Sequence, residues 1–242
     1  MARQEKLTIL LIADNFDQQL LPLLIDCPWA TRCFASKCIL DLSLEWISQV
    51  DVPNIIIVSS SVELKILEDF KGKWKECFQS FIIVHLPNRK SVGDIMREID
   101  AKNLLSGDFI LIDNPATFSS SNLSKQITNF KKLRQRNKNN VMSLLYSRSE
   151  IEACQTIGFY AESGKLVLYN RWDDIPSYSL VKALFKTDSF VRSDLAPTGI
   201  TFCALEILLL FSDNLDFLVL DDVIQDILIN EEVHCRNIYV DV

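Results

Sequence analysis

The residues best suited to chemistry lie in the stretch LLIADNFDQQLLPLLIDCPW, which contains the end of the first apolar run of the chain. Polar residues after a buried strand are typical of a nucleotide-binding loop, in which glycines let backbone N–H groups approach phosphates and Lys or Arg offsets the phosphate charge. From Asp14 to Trp29, this loop contains no Gly, Lys or Arg. It has the position of a phosphate loop without the chemistry of one.

Two acidic pairs and one histidine are the other candidates for catalysis. Asp221–Asp222 and Glu231–Glu232 could supply general acids and bases. The first pair begins a predicted helix, where acidic side chains interact favourably with the positive end of the helix dipole, so we interpret it as structural. His85 lies in a predicted strand and lacks the Ser, Cys or Asp arrangement that would make it a base. These residues predict no catalytic site.

The cysteines do not show the spacing of metal ligands. They are seven in number, no two of them form a C-x-x-C pair, and the chain has only two histidines to join them. Reduced and mostly buried thiols are the simplest interpretation, so we predict no metal site. The cysteines are Cys27, Cys33, Cys38, Cys77, Cys154, Cys203 and Cys235.

The composition excludes several classes of protein. A hydrophobic fraction of 48% and a charged fraction of 24% over 242 residues are typical of a soluble globular protein. No apolar run approaches the roughly 20 residues that cross a bilayer, and the N-terminus lacks the features of a signal peptide, so we predict a cytoplasmic protein without membrane contact. A net charge of -7 argues against direct binding of nucleic acid, which needs Lys and Arg to neutralise phosphates.

One segment departs from this acidic balance. Residues 125–140 contain only basic residues among their charged ones. Ile127, Phe130 and Leu133 are spaced three apart, which predicts the buried stripe of a helix. The basic face is either an ordinary solvated surface or a docking surface for an acidic partner.

The elements that would position these residues follow a regular order. Apolar runs of strand length alternate with segments of helical period, a pattern that specifies a parallel sheet covered on both faces. The predicted strands are 7–13, 54–60, 81–86, 108–113 and 141–147, and the predicted helices between them are 39–50, 61–72 and 92–105. We therefore predict a doubly wound α/β fold with a mostly parallel sheet.

The pattern changes after Ser147. Residues 156–170 read as a hairpin that turns at Ser163–Gly164, and residues 172–178 as a loop. A short strand at 200–203 and helices at 204–211 and 220–230 complete the prediction. Because no linker or repeat interrupts the chain, we predict a single domain over residues 1–242, with an added mixed α/β portion.

Four blocks of the sequence carry a family resemblance. They are ADNF (13–16), SVGDIMREIDAKNLLSGDFILI (91–112), NLSKQITNFKKLRQRNKNNVMSLLYSR (122–148) and FSDNLDFLVLDDVIQDILINEE (211–232). They resemble the nucleotidyltransferase-like domain of the epsilon subunits of eukaryotic translation initiation factor two B, the exchange factor for the GTPase that delivers initiator tRNA. The second and fourth blocks are the most specific, through Gly93-Asp94, Arg97, Asp100, Lys102, Asp108-Phe109 and Asn230-Glu231-Glu232. The resemblance implies a Rossmann-like fold of the sugar-nucleotidyltransferase type.

The first loop departs from the wider sugar-nucleotidyltransferase superfamily, whose motif supplies glycines, a Thr, an Arg and a Lys. In this chain the motif glycines are replaced by Asp14, Asn15 and Asp17, the motif Thr and Arg by Gln18 and Gln19, and the motif Lys by Trp29. The motif's Leu and Pro positions match at Leu20, Pro22, Leu23 and Pro28. The carboxylates of Asp14 and Asp17 would repel a triphosphate. We interpret the loop as a structural relic, packed through Phe16, Leu20 and Leu23.

The metal-binding Gly-Asp pair of the superfamily falls at Asn114 and Pro115, and a proline side chain cannot ligate a cation. Strand alternation predicts that Asp113 points to the opposite face and cannot replace the missing ligand. The resemblance thus implies a degenerate site without catalytic residues, cofactor or metal. An active nucleotidyltransferase on sugar phosphates is the alternative.

The resemblance also implies a partner site. Epsilon subunits carry an Asn-Phe pair associated with the gamma subunit of the GTPase, and here the pair is Asn214 and Leu215. The alternative is an ordinary turn between helices. The family's left-handed β-helix and its catalytic helical repeat domain are absent from this sequence. We therefore expect a non-enzymatic scaffold that pairs with other exchange-factor subunits, gamma first, and contacts the GTPase.

Overall fold

The computed structural model describes residues 7–16, 27–150, 155–171 and 187–242, and a seven-stranded sheet organises these residues. The described strands are β1 (Thr8–Ile12), β2 (Cys33–Phe34), β3 (Lys37–Cys38), β4 (Asn54–Ser59), β5 (Ser80–His85), β6 (Phe109–Ile112), β7 (Asn140–Arg148), β8 (Gln155–Tyr160), β9 (Leu166–Arg171), β10 (Ser189–Arg192), β11 (Leu195–Cys203) and β12 (Asn237–Asp241). The order in the large sheet is β12-β7-β11-β6-β1-β4-β5. Strands β6, β1, β4 and β5 pair in parallel, as predicted.

Helices cover this sheet. The described α-helices are α1 (Ile39–Ile47), α2 (Leu64–Trp74), α3 (Val92–Ala101), α4 (Ser124–Arg136), α5 (Glu206–Asp213), α6 (Leu220–Ile229) and α7 (Glu231–His234), with 3-10 turns at Trp29–Thr31 and Lys75–Cys77. Ser91 caps the N-terminus of α3, because its side chain accepts a hydrogen bond from the backbone N–H of Asp94 at 3.1 Å. No described helix has the length and apolarity needed to span a membrane.

The sheet separates two hydrophobic cores, because alternate residues of a strand face opposite sides. In β1, Leu10 and Ile12 join the core that contains α3, α5 and α6. Ile9 and Leu11 join the other core, which contains α1, α2 and α4. The near-continuous apolar runs of the central strands are thus explained by burial on both faces, as a doubly wound fold requires.

The C-terminal part contributes longer and additional strands to the large sheet compared with the sequence prediction. Strands β8 and β9 form the predicted hairpin and pair with β10 in a small sheet. The predicted strand at 200–203 begins at Leu195, and it lies antiparallel between β6 and β7 in the large sheet. A register shift between Pro197 and Thr201 hides the first half of this strand from pattern analysis. Strand β12, which was not predicted, pairs with β7 at the sheet edge. The predicted loop 172–178 lies outside the described residues.

Candidate functional site

The predicted partner residues Asn214 and Leu215 lie in the α5–α6 turn, defined as residues 214–219. Asn214 follows the last residue of α5, and its side-chain Oδ1 accepts a hydrogen bond from the backbone N–H of Asp216 at 3.0 Å. Leu215 is 71% exposed. The side chain of Leu215 therefore contributes little to the hydrophobic core of the chain. This exposure is expected of a residue that contacts a partner and not of a core residue.

Arg97 of α3 binds the backbone of α5 and of this turn on the face that packs against the protein. Its Nη1 donates to the backbone carbonyls of Phe211 at 3.2 Å and Phe217 at 3.1 Å, and its Nη2 donates to Asp94 at 3.0 Å. The guanidinium is largely buried. Hydrogen bonds from a charged donor contribute about 1.5–3 kcal/mol each, so Arg97 ties the last turn of α5 and the α5–α6 turn to α3.

Gly93 brings the turn within contact of the helix backbone. The N–H of Gly93 donates to the carbonyl of Leu218 at 2.8 Å. A Cβ at this position would lie 2.1 Å from the carbonyl oxygen of Phe217, a separation that no side chain tolerates. About two helical turns further on, Asp100 accepts a hydrogen bond from Ser212 at 2.6 Å. Gly93, Arg97 and Asp100, which are among the residues that make the second sequence block specific, therefore hold the fourth block in place.

The surface of the α5–α6 turn is largely apolar, with Asp216 as an exposed charge. Leu215, Leu218 and Val219 are exposed. Phe217 is half-buried, and its ring packs edge-on against Phe211 with the centroids 6.5 Å apart. Exposed aliphatic side chains on a backbone that is already ordered suit an interface, because little conformational entropy is lost on binding.

Asp14 has a structural role at the first loop. This buried carboxylate accepts hydrogen bonds from the hydroxyl of Ser59 at 3.0 Å and from the N–H groups of Ser60 and Ser61 at 2.5 and 3.0 Å. The hydroxyl of Ser61 also donates to it. Asp14 thus ties the end of β1 to the loop after β4 at a position where the superfamily has a glycine. Asp17, Gln18, Gln19, Leu20, Pro22 and Leu23 lie outside the described residues, so their roles stay predictions.

Residues of the loop after β6 also make hydrogen bonds within the protein. Asn114 accepts a hydrogen bond from the N–H of Ala116 at 2.8 Å, which closes a tight turn, and the carbonyl of Pro115 accepts one from the hydroxyl of Ser43. Asp113 and Asn114 both line one cavity next to this loop. The prediction that Asp113 cannot replace the missing ligand stays a prediction.

This carboxylate cavity has a volume of about 390 Å³. Burial raises the pKa of the Asp113 carboxyl to about 6, and the negative charge of Asp221 adds to the increase. Gly199, with φ of 74°, leaves room for the Asp113 side chain. The described residues that line the cavity are Asp113, Asn114, Thr117, Gln155, Tyr169, Pro197, Thr198, Gly199 and Asp221. None of these described residues is basic, so the described lining offers two acidic groups and no Lys or Arg that could attract a phosphate.

The acidic pairs are only partly as predicted. Asp222 caps α6, since its Oδ2 accepts hydrogen bonds from the N–H groups of Leu218 at 2.8 Å and Val219 at 2.9 Å. Asp221 instead lines the carboxylate cavity and accepts a hydrogen bond from the hydroxyl of Tyr169 at 2.7 Å. Sequence analysis missed the proximity of Asp221 to Asp113, because no local signal connects residues so far apart in the chain.

Metal ligands do not cluster in the described part of the chain, where no three His, Cys, Asp or Glu side chains are placed to hold an ion. The six cysteines described are free thiols, and Cys154 lies outside the described residues. His85 is the last residue of β5, in agreement with its interpretation as a strand histidine.

Helix α4 has the predicted stripe, with Ile127 and Phe130 buried and Leu133 half-buried. Its basic face is only partly used within the protein. Arg134 pairs with Asp108 at 3.1 Å. The exposed basic side chains are Lys125, Lys131, Lys132, Arg136 and, after the helix, Lys138. Both interpretations of this face stay open.

Comparisons with known proteins agree with the four sequence blocks. No family model matches the chain. It is 25% identical over 240 residues to the translation initiation factor eIF2B subunit epsilon of Dictyostelium discoideum, a match that covers 94% of this chain and 34% of the relative. It is 23% identical over 253 residues to the same subunit of Schizosaccharomyces pombe, covering 95% of this chain and 36% of the relative. The chain thus spans about a third of the length of these relatives.

A solved structure supports the fold. The chain superposes on a Bacillus anthracis protein named as a glucose-1-phosphate thymidylyltransferase with a TM-score of 0.68 and 11% identity, covering 97% of this chain and 86% of that one. At this identity the likeness concerns the fold alone. Together with the curated relatives, it indicates an eIF2B epsilon-like, nucleotidyltransferase-like domain, which confirms the family resemblance and the predicted fold class.

Proposed function

We propose that this chain is a non-catalytic scaffold and partner-binding domain of an eIF2B epsilon subunit, with a role in translation initiation. In this proposal it works in the cytoplasm and assembles with the other exchange-factor subunits, gamma first. Its α5–α6 turn contacts the gamma subunit of the GTPase that carries initiator tRNA. Guanine-nucleotide exchange itself belongs to another part of the subunit.

The observation that carries the proposal is the exposure of Leu215 on a turn held rigid from behind. Leu215 is 71% exposed, while Arg97 donates to the carbonyls of Phe211 before it and Phe217 after it, and Gly93 donates to that of Leu218. An aliphatic side chain in that position costs free energy in water and gains it when a partner covers it. The preordered backbone limits the entropy lost on binding.

The carboxylate cavity supports the non-catalytic part of the proposal. Nucleotidyl transfer requires cationic groups that offset the charge of the phosphates. The described lining of the cavity contains two acids and no Lys or Arg, and Trp29 stands at the position of the superfamily Lys. This cavity would repel a triphosphate more strongly than it could bind one.

Leu215→Ala tests the proposed contact in a reconstituted exchange factor. We expect the affinity for the GTPase gamma subunit to fall about tenfold, equivalent to about 1.4 kcal/mol, with the melting temperature nearly unchanged because the side chain is exposed. Affinity is measured by biolayer interferometry and stability by calorimetry.

Ile229→Ala is the matched control. Ile229 is also an exposed aliphatic residue, 80% exposed, and lies at the far end of α6. It should leave the affinity unchanged. Unchanged affinity in Leu215→Ala would sink the proposed contact, and equal losses in both variants would show that the interface is not centred on the turn.

A further inference from the structure

Two cysteines face each other across a short hairpin that leads into α1. Strands β2 and β3 pair antiparallel, with Cys33 directly opposite Cys38. The two strands are joined by a tight turn at Ala35 and Ser36, and Ala35 adopts a left-handed conformation with φ of 58°. Both cysteines are free thiols.

The pairing register places Cys33 and Cys38 where a disulfide can form. In a two-residue hairpin the pair next to the turn is hydrogen-bonded, so the Cys33–Cys38 pair is of the non-hydrogen-bonded type. The next pair outward agrees, since the N–H of Ile39 donates to the carbonyl of Arg32 at 2.9 Å. Non-hydrogen-bonded partners have Cα atoms about 4.5 Å apart and side chains on the same face. A disulfide accepts Cα separations of about 4.4–6.8 Å, so the bond needs little backbone movement.

The two thiols differ in environment. Cys33 is exposed, whereas Cys38 is half-buried at the start of α1. Burial raises the pKa of the Cys38 thiol, and its hydrogen bond with Cys33 raises the pKa further. The exposed Cys33 is therefore the sulfur that an oxidant reaches first, and Cys38 is the neighbouring thiol that can resolve the oxidised product.

We propose that Cys33 and Cys38 are a reversible oxidation site at which a peroxide closes an intramolecular disulfide. The Cys33 thiolate attacks the peroxide, so that an S–O bond forms, the O–O bond breaks and hydroxide leaves to take up a proton. Cys38 then attacks the sulfenic sulfur, so that the S–S bond forms and the S–O bond breaks with release of water. Two electrons pass from the sulfurs to the peroxide, and a dithiol reductant reverses the reaction.

The test uses the purified chain, hydrogen peroxide, a maleimide block and tryptic mass spectrometry. Trypsin cleaves after Arg32 and Lys37, which places Cys33 in the peptide CFASK and Cys38 in the peptide that begins CILDL. A disulfide therefore joins two peptides that otherwise separate. We expect this linked pair after peroxide treatment, with simultaneous loss of maleimide from both cysteines and recovery of both sites after dithiothreitol.

Three variants complete the experiment. Cys33→Ser and Cys38→Ser should each abolish the linked pair, whereas Cys77→Ser, which removes another exposed thiol, should leave it unchanged. The proposal is overturned if Cys33 and Cys38 both stay open to maleimide at a peroxide dose that oxidises Cys77. It is also overturned if Cys33 advances to sulfinic acid without the linked pair.

Discussion

The α5–α6 turn and the carboxylate cavity differ in where their polar and apolar groups lie. In the turn, the polar backbone is bound by Arg97 and Gly93 on the protein side, and the aliphatic Leu215 faces solvent. In the cavity, polar side chains face inward, and the carboxyl of Asp113 is held in an environment that favours its neutral form.

The turn therefore presents apolar side chains on an ordered backbone, whereas the cavity presents acidic and polar side chains. Binding at the turn only has to cover apolar groups on an ordered backbone, which favours association with another protein. Binding of a phosphate in the cavity would place its charge near the carboxyl groups of Asp113 and Asp221, and the described lining contributes no Lys or Arg to offset that charge.

The largest effect is expected from Gly93→Ala. Its Cβ would meet the carbonyl oxygen of Phe217 at 2.1 Å, and backbone cannot rotate away as a side chain can. We expect a loss of at least about 3 kcal/mol in the free energy of unfolding, together with loss of GTPase binding, because the turn must move. Gly72→Ala is the control, since nothing lies within 4 Å of its Cβ, and it should be neutral or slightly stabilising. Equal stability of the two variants in urea titrations would contradict the close packing of the turn.

Asp14→Ala tests the structural role of the first loop. Removing this buried carboxylate leaves the N–H groups of Ser60 and Ser61 without their acceptor, which should cost about 2–3 kcal/mol. Asp14→Asn keeps one acceptor oxygen and should lose roughly half as much. Chemical denaturation measures both. A neutral Asp14→Ala would show that the carboxylate is not a structural anchor and would reopen the question of a ligand there.

Asp113→Asn tests the cavity through its pH dependence. The pKa of Asp113 is raised from 3.8 to about 6 in the folded state, so the folded protein binds the proton more tightly than the unfolded chain does. Stability is therefore full below pH 3.8 and falls as the pH rises towards 6, where the buried carboxyl ionises. The neutral Asn should stabilise the protein by about 1–2 kcal/mol at pH 7.5 and by almost nothing at pH 3.5. Melting temperatures across this range measure the effect, with the exposed Asp51→Asn as control. A pH-independent difference would mean that Asp113 does not titrate as inferred.

The smallest effect is expected from nucleotides. Titration calorimetry with magnesium and GTP, ATP or a sugar phosphate should detect no binding tighter than about 1 mM. The physical reason is the absence of basic groups among the described residues of the cavity. Micromolar binding would favour the alternative of an active nucleotidyltransferase and would remove the contrast between cavity and turn.

Much of the fold could be predicted from local patterns. The runs that became β1, β4, β5 and β6 were apolar on both faces, and such runs have few solutions other than a covered parallel sheet. Strand β12 was missed because its residues are only partly buried at a sheet edge, which leaves a weak pattern. The first half of β11 was missed because Pro197 and Gly199 interrupt the strand signal where the register shifts.

The turn after a helix at Asn214 was predicted from local sequence signals, and the structure has it there. Asn214 and Leu215 were singled out as a partner site by the family resemblance alone, and that role stays a prediction. The hydrogen bonds from Arg97 to that turn and the approach of Asp221 to Asp113 do not follow from local sequence signals, because each joins residues more than a hundred positions apart.

The sequence by itself determined the class of fold and the lack of Gly, Lys and Arg in the first loop, because hydrophobic period and residue type are local properties. Only the tertiary structure decided what the replacement residues do. The carboxylate of Asp14 accepts hydrogen bonds that connect the end of β1 to the loop after β4. Gly93 lets α3 pack closely against the backbone of the α5–α6 turn. These roles depend on which segments the folded sheet brings together, and the free energy of such long-range contacts is not encoded in the pattern of either segment alone.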